Sequence, residues 1–188
     1  YSDSNLSYSF GENIGNSTLQ GNCGACDSSH FRSIKQTSDG GFITVGSILF
    51  NYQGETAGLG YLMKIDSQGN LEWEQGIGIG DYGDPTYSSG ESFWLEAHHF
   101  NDVIQTSDGG YIVASDLEEV VAISKLDSFG VVEWTSSHDW CYSSSISFVQ
   151  QTADGGYIAS GYAQGVGYDC DNSNNTLIGK FLLKLDSS

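Results

Sequence analysis

Three stretches of this chain are near copies: QTSDGGFITVGS from Gln36, QTSDGGYIVASD from Gln105 and QTADGGYIASGY from Gln151. A repeat constrains the fold more than composition does, because each copy must build the same local unit and bury its apolar side against a neighbour. YLMKIDSQGNLEWEQGIG follows the first copy and AISKLDSFGVVEWTSSHD the second, whereas the third is followed only by FLLKLDSS. The piece missing from the third matches a segment near the other end. NLSYSFG from Asn5 aligns with NLEWEQG from Asn70, which puts Tyr8 where Trp73 and Trp134 stand. The reading is one domain over 1–188, with units at about 6–70, 71–131 and 132–188 and the N-terminal strand shared with the last.

Each unit reads as four short antiparallel strands, and the fold class as all-β. The first strand ends at Gln-Thr. Asp-Gly then supplies the positive backbone angles of a type I′ hairpin or its bulged variant. The second strand (FITVG, YIVAS or YIASG) is apolar or small on both faces, as expected of a strand covered on two sides. A variable loop leads to the third strand, YLMKID, AISKLD or FLLKLD. A second Gly turn delivers the fourth, which carries the aromatic. With 25 glycines, no long segment keeps a helical period. Asp39, Asp108 and Asp154 therefore read as turn residues rather than as catalysts.

The formal charge is −18, from 24 acids against 6 bases. Such a surface repels nucleic acid and anionic lipid, which removes both from the expected partners. The 13% aromatic content argues for a packed fold rather than an acidic disordered chain. No apolar run is long enough to span a membrane, and no signal peptide remains at Tyr1; if there was one, it has been removed. Cys23, Cys26, Cys141 and Cys170 suggest two disulfides, with three pairings open. Zinc is the rival, weakened because Cys141 and Cys170 do not form a second close pair. Sequons at Asn5, Asn16 and Asn174 are compatible with a glycosylated extracellular protein.

The pattern QTSDGGYI…KLDSFGVVEW resembles the tandem repeats of secreted bacterial and archaeal β-propeller-type proteins, and is similar to quinoprotein-type blades. That resemblance covers nearly the whole chain. It implies propeller-blade-like sheets in a pseudo-threefold arrangement, but no quinone site, since no such motif is present. Propellers have four to eight blades. Three repeats could close as a compact body, propeller-like or β-trefoil-like. Two chains could form a six-bladed ring. The N-terminal strand of one chain could instead complete the last sheet of the next, head to tail.

Lys64, Lys125 and Lys184 occupy one repeated slot, two residues after an apolar neighbour on the same strand face. The expected partners are Asp39, Asp108 and Asp154; the competing reading is a central anion site. His30-Phe31 and His99-Phe100 stand six residues before Gln36 and Gln105, with Ser145-Ile146 in the third unit. These suggest strand-entry packing by Phe31 and Phe100, or else imidazoles near an axis. Asp169, Asp171 and Ser173 alternate like the opening of an oxygen-ligand loop, so weak Ca²⁺ binding is the only cofactor suggested. Asp81, Asp84 and Glu91 lie in another such loop. Connector aromatics, among them Trp94, Trp140 and Tyr142, could stack on glycans. No nucleophile elbow, P-loop or dinucleotide pattern is present.

The expectation is a secreted, non-catalytic structural or adhesive subunit that associates with itself, head to tail in a filament. A glycan- or calcium-binding module is the alternative, and a glycoside-active enzyme the third.

Overall fold

Every repeat begins with a hairpin whose geometry follows from Thr-x-Asp-Gly-Gly. In the first, Thr37 N donates to Gly41 O at 2.9 Å and Gly40 N to Thr37 O at 3.0 Å. Asp39 Oδ1 accepts from Thr37 Oγ1 at 2.5 Å and from Gly41 N at 2.8 Å. The positive φ falls on Gly40, at 84°. This is a type I turn closed by a glycine bulge, the bulged variant of the two expected from the sequence. Gly109 and Gly155 repeat it at 87° and 83°. The second turn of each complete unit is the same device, with Asp66 and Asp127 as acceptors for the backbone N–H groups of Asn70 and Val131.

The computed structural model describes residues 28–52, 55–77, 99–117, 120–139, 144–164 and 178–186, and all regular elements among them are strands. The first sheet runs β1 (Ser28–Gln36), β2 (Phe42–Tyr52), β3 (Glu55–Ile65), β4 (Leu71–Ile77), antiparallel and in that order. The second runs β5 (His99–Gln105), β6 (Tyr111–Leu117), β7 (Val120–Leu126), β8 (Val132–Asp139). The third has three strands among the described residues: β9 (Ser144–Gln151), β10 (Tyr157–Gln164) and β11 (Ile178–Leu185). Each first strand carries a register shift at the same place, at Arg32, Asn101 and Ser147.

The sheets stack in series, the second between the first and the third. Ile43, Val45 and Leu62 of the first sheet pack on Phe100, Val103, Tyr111, Val113 and Leu126 of the second. Ile112, Ala114, Val121 and Ile123 of the second pack on Ile146, Val149, Tyr157 and Ala159 of the third. Each such aliphatic side chain, taken out of water, stabilises the fold by about 1.5–3 kcal/mol. An aromatic pair closes both interfaces. The centroids of Trp73 and Tyr111 are 5.7 Å apart with planes at 67°, and those of Trp134 and Tyr157 are 5.7 Å apart at 58°. The fourth-strand Trp of one sheet thus sits on the second-strand Tyr of the next. The first and third sheets make no comparable contact among the described residues.

Serial stacking explains a difference from the sequence reading. Phe100 is 1% exposed, but Phe31, at the matching position, is 47% exposed, with its ring 6.3 Å from that of Tyr61. Phe100 faces a preceding sheet; no described sheet precedes Phe31. Tyr8, the expected fourth-strand aromatic of the last unit, lies outside the described residues.

Candidate functional site

The repeated lysines sit where three strands converge. Lys64 Nζ stands 2.9 Å from Asp39 Oδ2, 2.5 Å from Glu72 Oε2 and 3.1 Å from Ile65 O. Lys125 Nζ has Asp108 at 3.0 Å, Glu133 at 3.0 Å and Leu126 O at 2.9 Å. An ammonium has three protons to donate, and these acceptors match them in number. The side chains are 3% and 4% exposed. Burial alone would pull both amines down, but the hydrogen bonds to Glu72 and Asp39, and to Asp108 and Glu133, more than offset it and leave both above the ordinary lysine range. Each lysine is therefore paired within its own sheet, and this geometry favours pairing over a shared anion site. Glu72 and Glu133 were missed from the sequence, although each stands eight residues after its lysine.

The second glycine of each turn belongs to this cluster. A Cβ on Gly41, Gly110 or Gly156 would lie 2.6 Å from the lysine Nζ and within 2.4 Å of the following strand's carbonyl oxygen. The first glycine thus permits the turn, and the second makes room for the ammonium.

Lys184 departs from the pattern. It reaches Asp154 Oδ2 at 3.0 Å and Leu185 O at 3.2 Å, but no carboxylate from a fourth strand is described beside it, and its side chain is 42% exposed. Leu182, on the same strand face, is 76% exposed, whereas Leu62 and Ile123 in the same slot are fully buried. The outer edge of β11 has no described strand against it. An apolar strand edge with unpaired backbone groups is a ready template for another strand.

A second feature lies where the first strands of the three sheets meet. A shallow cavity of about 590 Å³ is lined by His30, Arg32, His99, Asn101, Ser145 and Ser147, among others. Arg32 Nη1 donates to Asn101 Oδ1 at 2.8 Å, and Asn101 Nδ2 to Ile146 O at 2.8 Å, so the bulge residues tie the sheets together. Further along, buried Asp102 accepts from Ser33 Oγ at 2.6 Å and Val149 N at 3.2 Å, and pairs with Lys35 at 3.5 Å. Gln105 Oε1 accepts from Ser38 N at 2.7 Å, and Gln151 Oε1 from Ser107 N at 2.9 Å. Asp116, opposite His99 in the ladder, is raised to about 6 by burial, in spite of Arg32 and Ser145. Its Oδ1 and the Nδ1 of His99 are buried without a hydrogen-bond partner. Burial, with Arg32 and His30 nearby, lowers His99.

His30 and His99 thus line one cavity, but among the described residues no three His, Cys, Asp or Glu side chains come together to hold a metal ion. The calcium candidates Asp169, Asp171 and Ser173 lie outside the described residues. So do the sequons at Asn5, Asn16 and Asn174, the cysteines Cys23, Cys26, Cys141 and Cys170, and the acidic loop with Asp81, Asp84 and Glu91. No protein-family model matches the chain, and no curated protein does. What the geometry defines is a class: an all-β protein of repeated antiparallel sheets stacked in series, with no described strand on the outer edge of β11.

Proposed function

We propose that this chain is an extracellular, non-catalytic structural or adhesive subunit whose propeller-blade-like repeats join head to tail by strand complementation. The observation carrying the proposal is the unfinished third lysine cluster. In two sheets a fourth strand brings a carboxylate to the lysine and an aromatic to the next sheet; at β11 the described structure has neither. The segment 5–11 has the matching sequence, with Ser7 at the Glu72 position and Tyr8 at the Trp73 position. Laid along β11 of another copy, it would pair with the edge that has no described strand against it and offer Lys184 a third oxygen. The repeated residues are accounted for by turn geometry and ion pairing, so they make no catalytic constellation. Extracellular placement is supported by the four cysteines, the sequons and the acidic composition.

Hydrogen exchange by mass spectrometry tests this reading. Amides of β11 should exchange slowly in assembled material and at least tenfold faster in the dissociated chain. A chain lacking residues 1–10 should fold with an unchanged strand signature yet fail to assemble, and a peptide of residues 5–11 should protect its β11. Assembly of the truncated chain at full-length affinity would rule strand donation out.

A further inference from the structure

The first strands of the three sheets vary where the rest of the repeat does not. Turn aspartate, turn glycines and lysine are the same in all three units, whereas the bulge position holds Arg32, Asn101 and Ser147. The position two residues before it holds His30, His99 and Ser145. All six side chains are polar, and all six line the shallow cavity of about 590 Å³ where these strands meet. A bulge re-aims the side chain it carries, and bulges are over-represented beside active sites. The volume falls within the range of about 300–1,000 Å³ common to small-molecule sites. Charge is unevenly shared as well. The chain has only 6 lysines and arginines and 4 histidines, yet His30, Arg32 and His99 meet here. No Asp or Glu is among the described residues lining the cavity; Asp116, the ladder partner of His99, is not one of them.

We infer that this cavity binds a small hydroxylated carboxylate, a single acidic sugar unit, with Arg32 holding the carboxylate. Arg32 is exposed and gives one Nη1 proton to Asn101. A guanidinium carries five N–H groups in a planar fork, and two of the others match the two oxygens of a carboxylate. His99 is kept below the ordinary histidine range by burial, then by Arg32 and His30, so its ring is neutral at pH 7. A neutral imidazole has one donor and one acceptor, and the hydroxyls of Ser145 and Ser147 both donate and accept. Groups of that kind match the hydroxyls of a sugar ring, which also donate and accept, better than they match a bare ion. The net charge of −18 sets the ligand's charge, because each further negative group is repelled by the whole molecule. A monoanion is therefore favoured over a phosphate dianion or a polyuronate. The hydrogen bonds from Arg32 to Asn101 and from Asn101 to Ile146 O tie the sheets, but they account for neither histidine nor for Ser147. The cavity is built within one chain, so the inference does not rest on the self-association proposed above.

Calorimetric titration of the full chain with galacturonate, with its neutral counterpart galactose and with a galacturonate trimer tests it, and amide NMR shifts locate the ligand. Galacturonate should bind about tenfold more tightly than galactose, the worth of one charge-assisted pair, and should shift the amides of Arg32, His99 and Ser147. Arg32→Gln should weaken galacturonate about tenfold and leave galactose where it was. Arg32→Lys, which keeps the charge and loses the fork, should recover part of that loss. Ser147→Ala, at an exposed position, should cost about threefold at an unchanged melting temperature. It keeps the site testable if loss of the bond to Asn101 disturbs the fold. The trimer should bind no more tightly than the single unit; a tighter trimer overturns the assignment of one charge and one unit. Equal affinity for galactose overturns the inference. So do undiminished binding by both Arg32→Gln and Ser147→Ala, shifts confined to residues outside the first strands, or no binding of galacturonate at all. The titration is read whether or not the chain assembles, so its failure leaves strand donation standing, and the failure of strand donation leaves this site standing.

Discussion

At the scale of single residues, two adjacent glycines have different tasks that the same substitution separates. Gly109 holds φ at 87° with nothing within 4 Å of where a Cβ would be, so alanine there meets only backbone strain. That strain costs about 1–2 kcal/mol. Gly110 lies outside the left-handed region, but its Cβ would stand 2.3 Å from Leu126 O and 2.6 Å from Lys125 Nζ. Alanine must push a strand or a buried ammonium aside, and overpacking with loss of a buried pair costs roughly 2–4 kcal/mol. Urea unfolding should therefore rank Gly110→Ala below Gly109→Ala in stability. The opposite order would mean that the second glycine serves the turn and not the lysine. Asp-Gly-Gly was legible as a turn because turn chemistry is local. The reason for its second glycine was not, because the lysine arrives from a strand 15 residues further on.

At the scale of elements, the lysine clusters compare a finished sheet edge with an open one. Lys125 is 4% exposed and fully hydrogen-bonded, so Lys125→Met leaves Asp108 and Glu133 without their cation. Both carboxylates are about half exposed, which lets water take over much of the lost interaction; a cost of about 1–3 kcal/mol is expected. Lys184→Met in the dissociated chain should cost well under 1 kcal/mol, because that side chain is already 42% exposed. Thermal melts of the two variants check the contrast, and equal losses would mean that Lys184 is as enclosed as its counterparts. The order of strands in a unit was readable because turn, apolar strand and lysine recur with fixed spacing. The tie between sheets was not. Asp102 bridges the first and third sheets, but Ser33 and Phe148 hold its place in the other units, so no repetition marks it. Serial stacking was equally invisible, since it depends on which face of each sheet meets which.

For the whole molecule, the balance of buried and paired carboxylates sets how stability varies with pH. Hydrogen bonds from Thr106 and Thr152 lower Asp108 and Asp154 to about 2, and Asp39 is lowered likewise by Thr37, all with lysine help. Depressed carboxylates bind protons more tightly in the unfolded chain, so their contribution is present above the ordinary aspartate value of 3.8 and is lost as pH falls towards 2. Asp116 works in the opposite sense. Raised to about 6 by burial, it is comfortable in the fold when protonated, and its penalty grows between 3.8 and 6 before levelling off. The charge of −18 adds self-repulsion in that range as the other acids ionise. The chain should therefore be most stable on the acid side of neutrality, with a steep loss only below about pH 3. Asp116→Asn separates the two arms. The variant should be more stable than wild type by on the order of 1–2 kcal/mol at pH 7, after allowance for partial exposure. That advantage should shrink through pH 6 to 4 and vanish below, while the acid arm stays where it was. Melting curves across pH 3–8 measure it directly. A difference that does not change with pH would show that the Asp116 carboxyl titrates in the fold as it does in the unfolded chain, and that its unpartnered oxygen is solvated rather than confined.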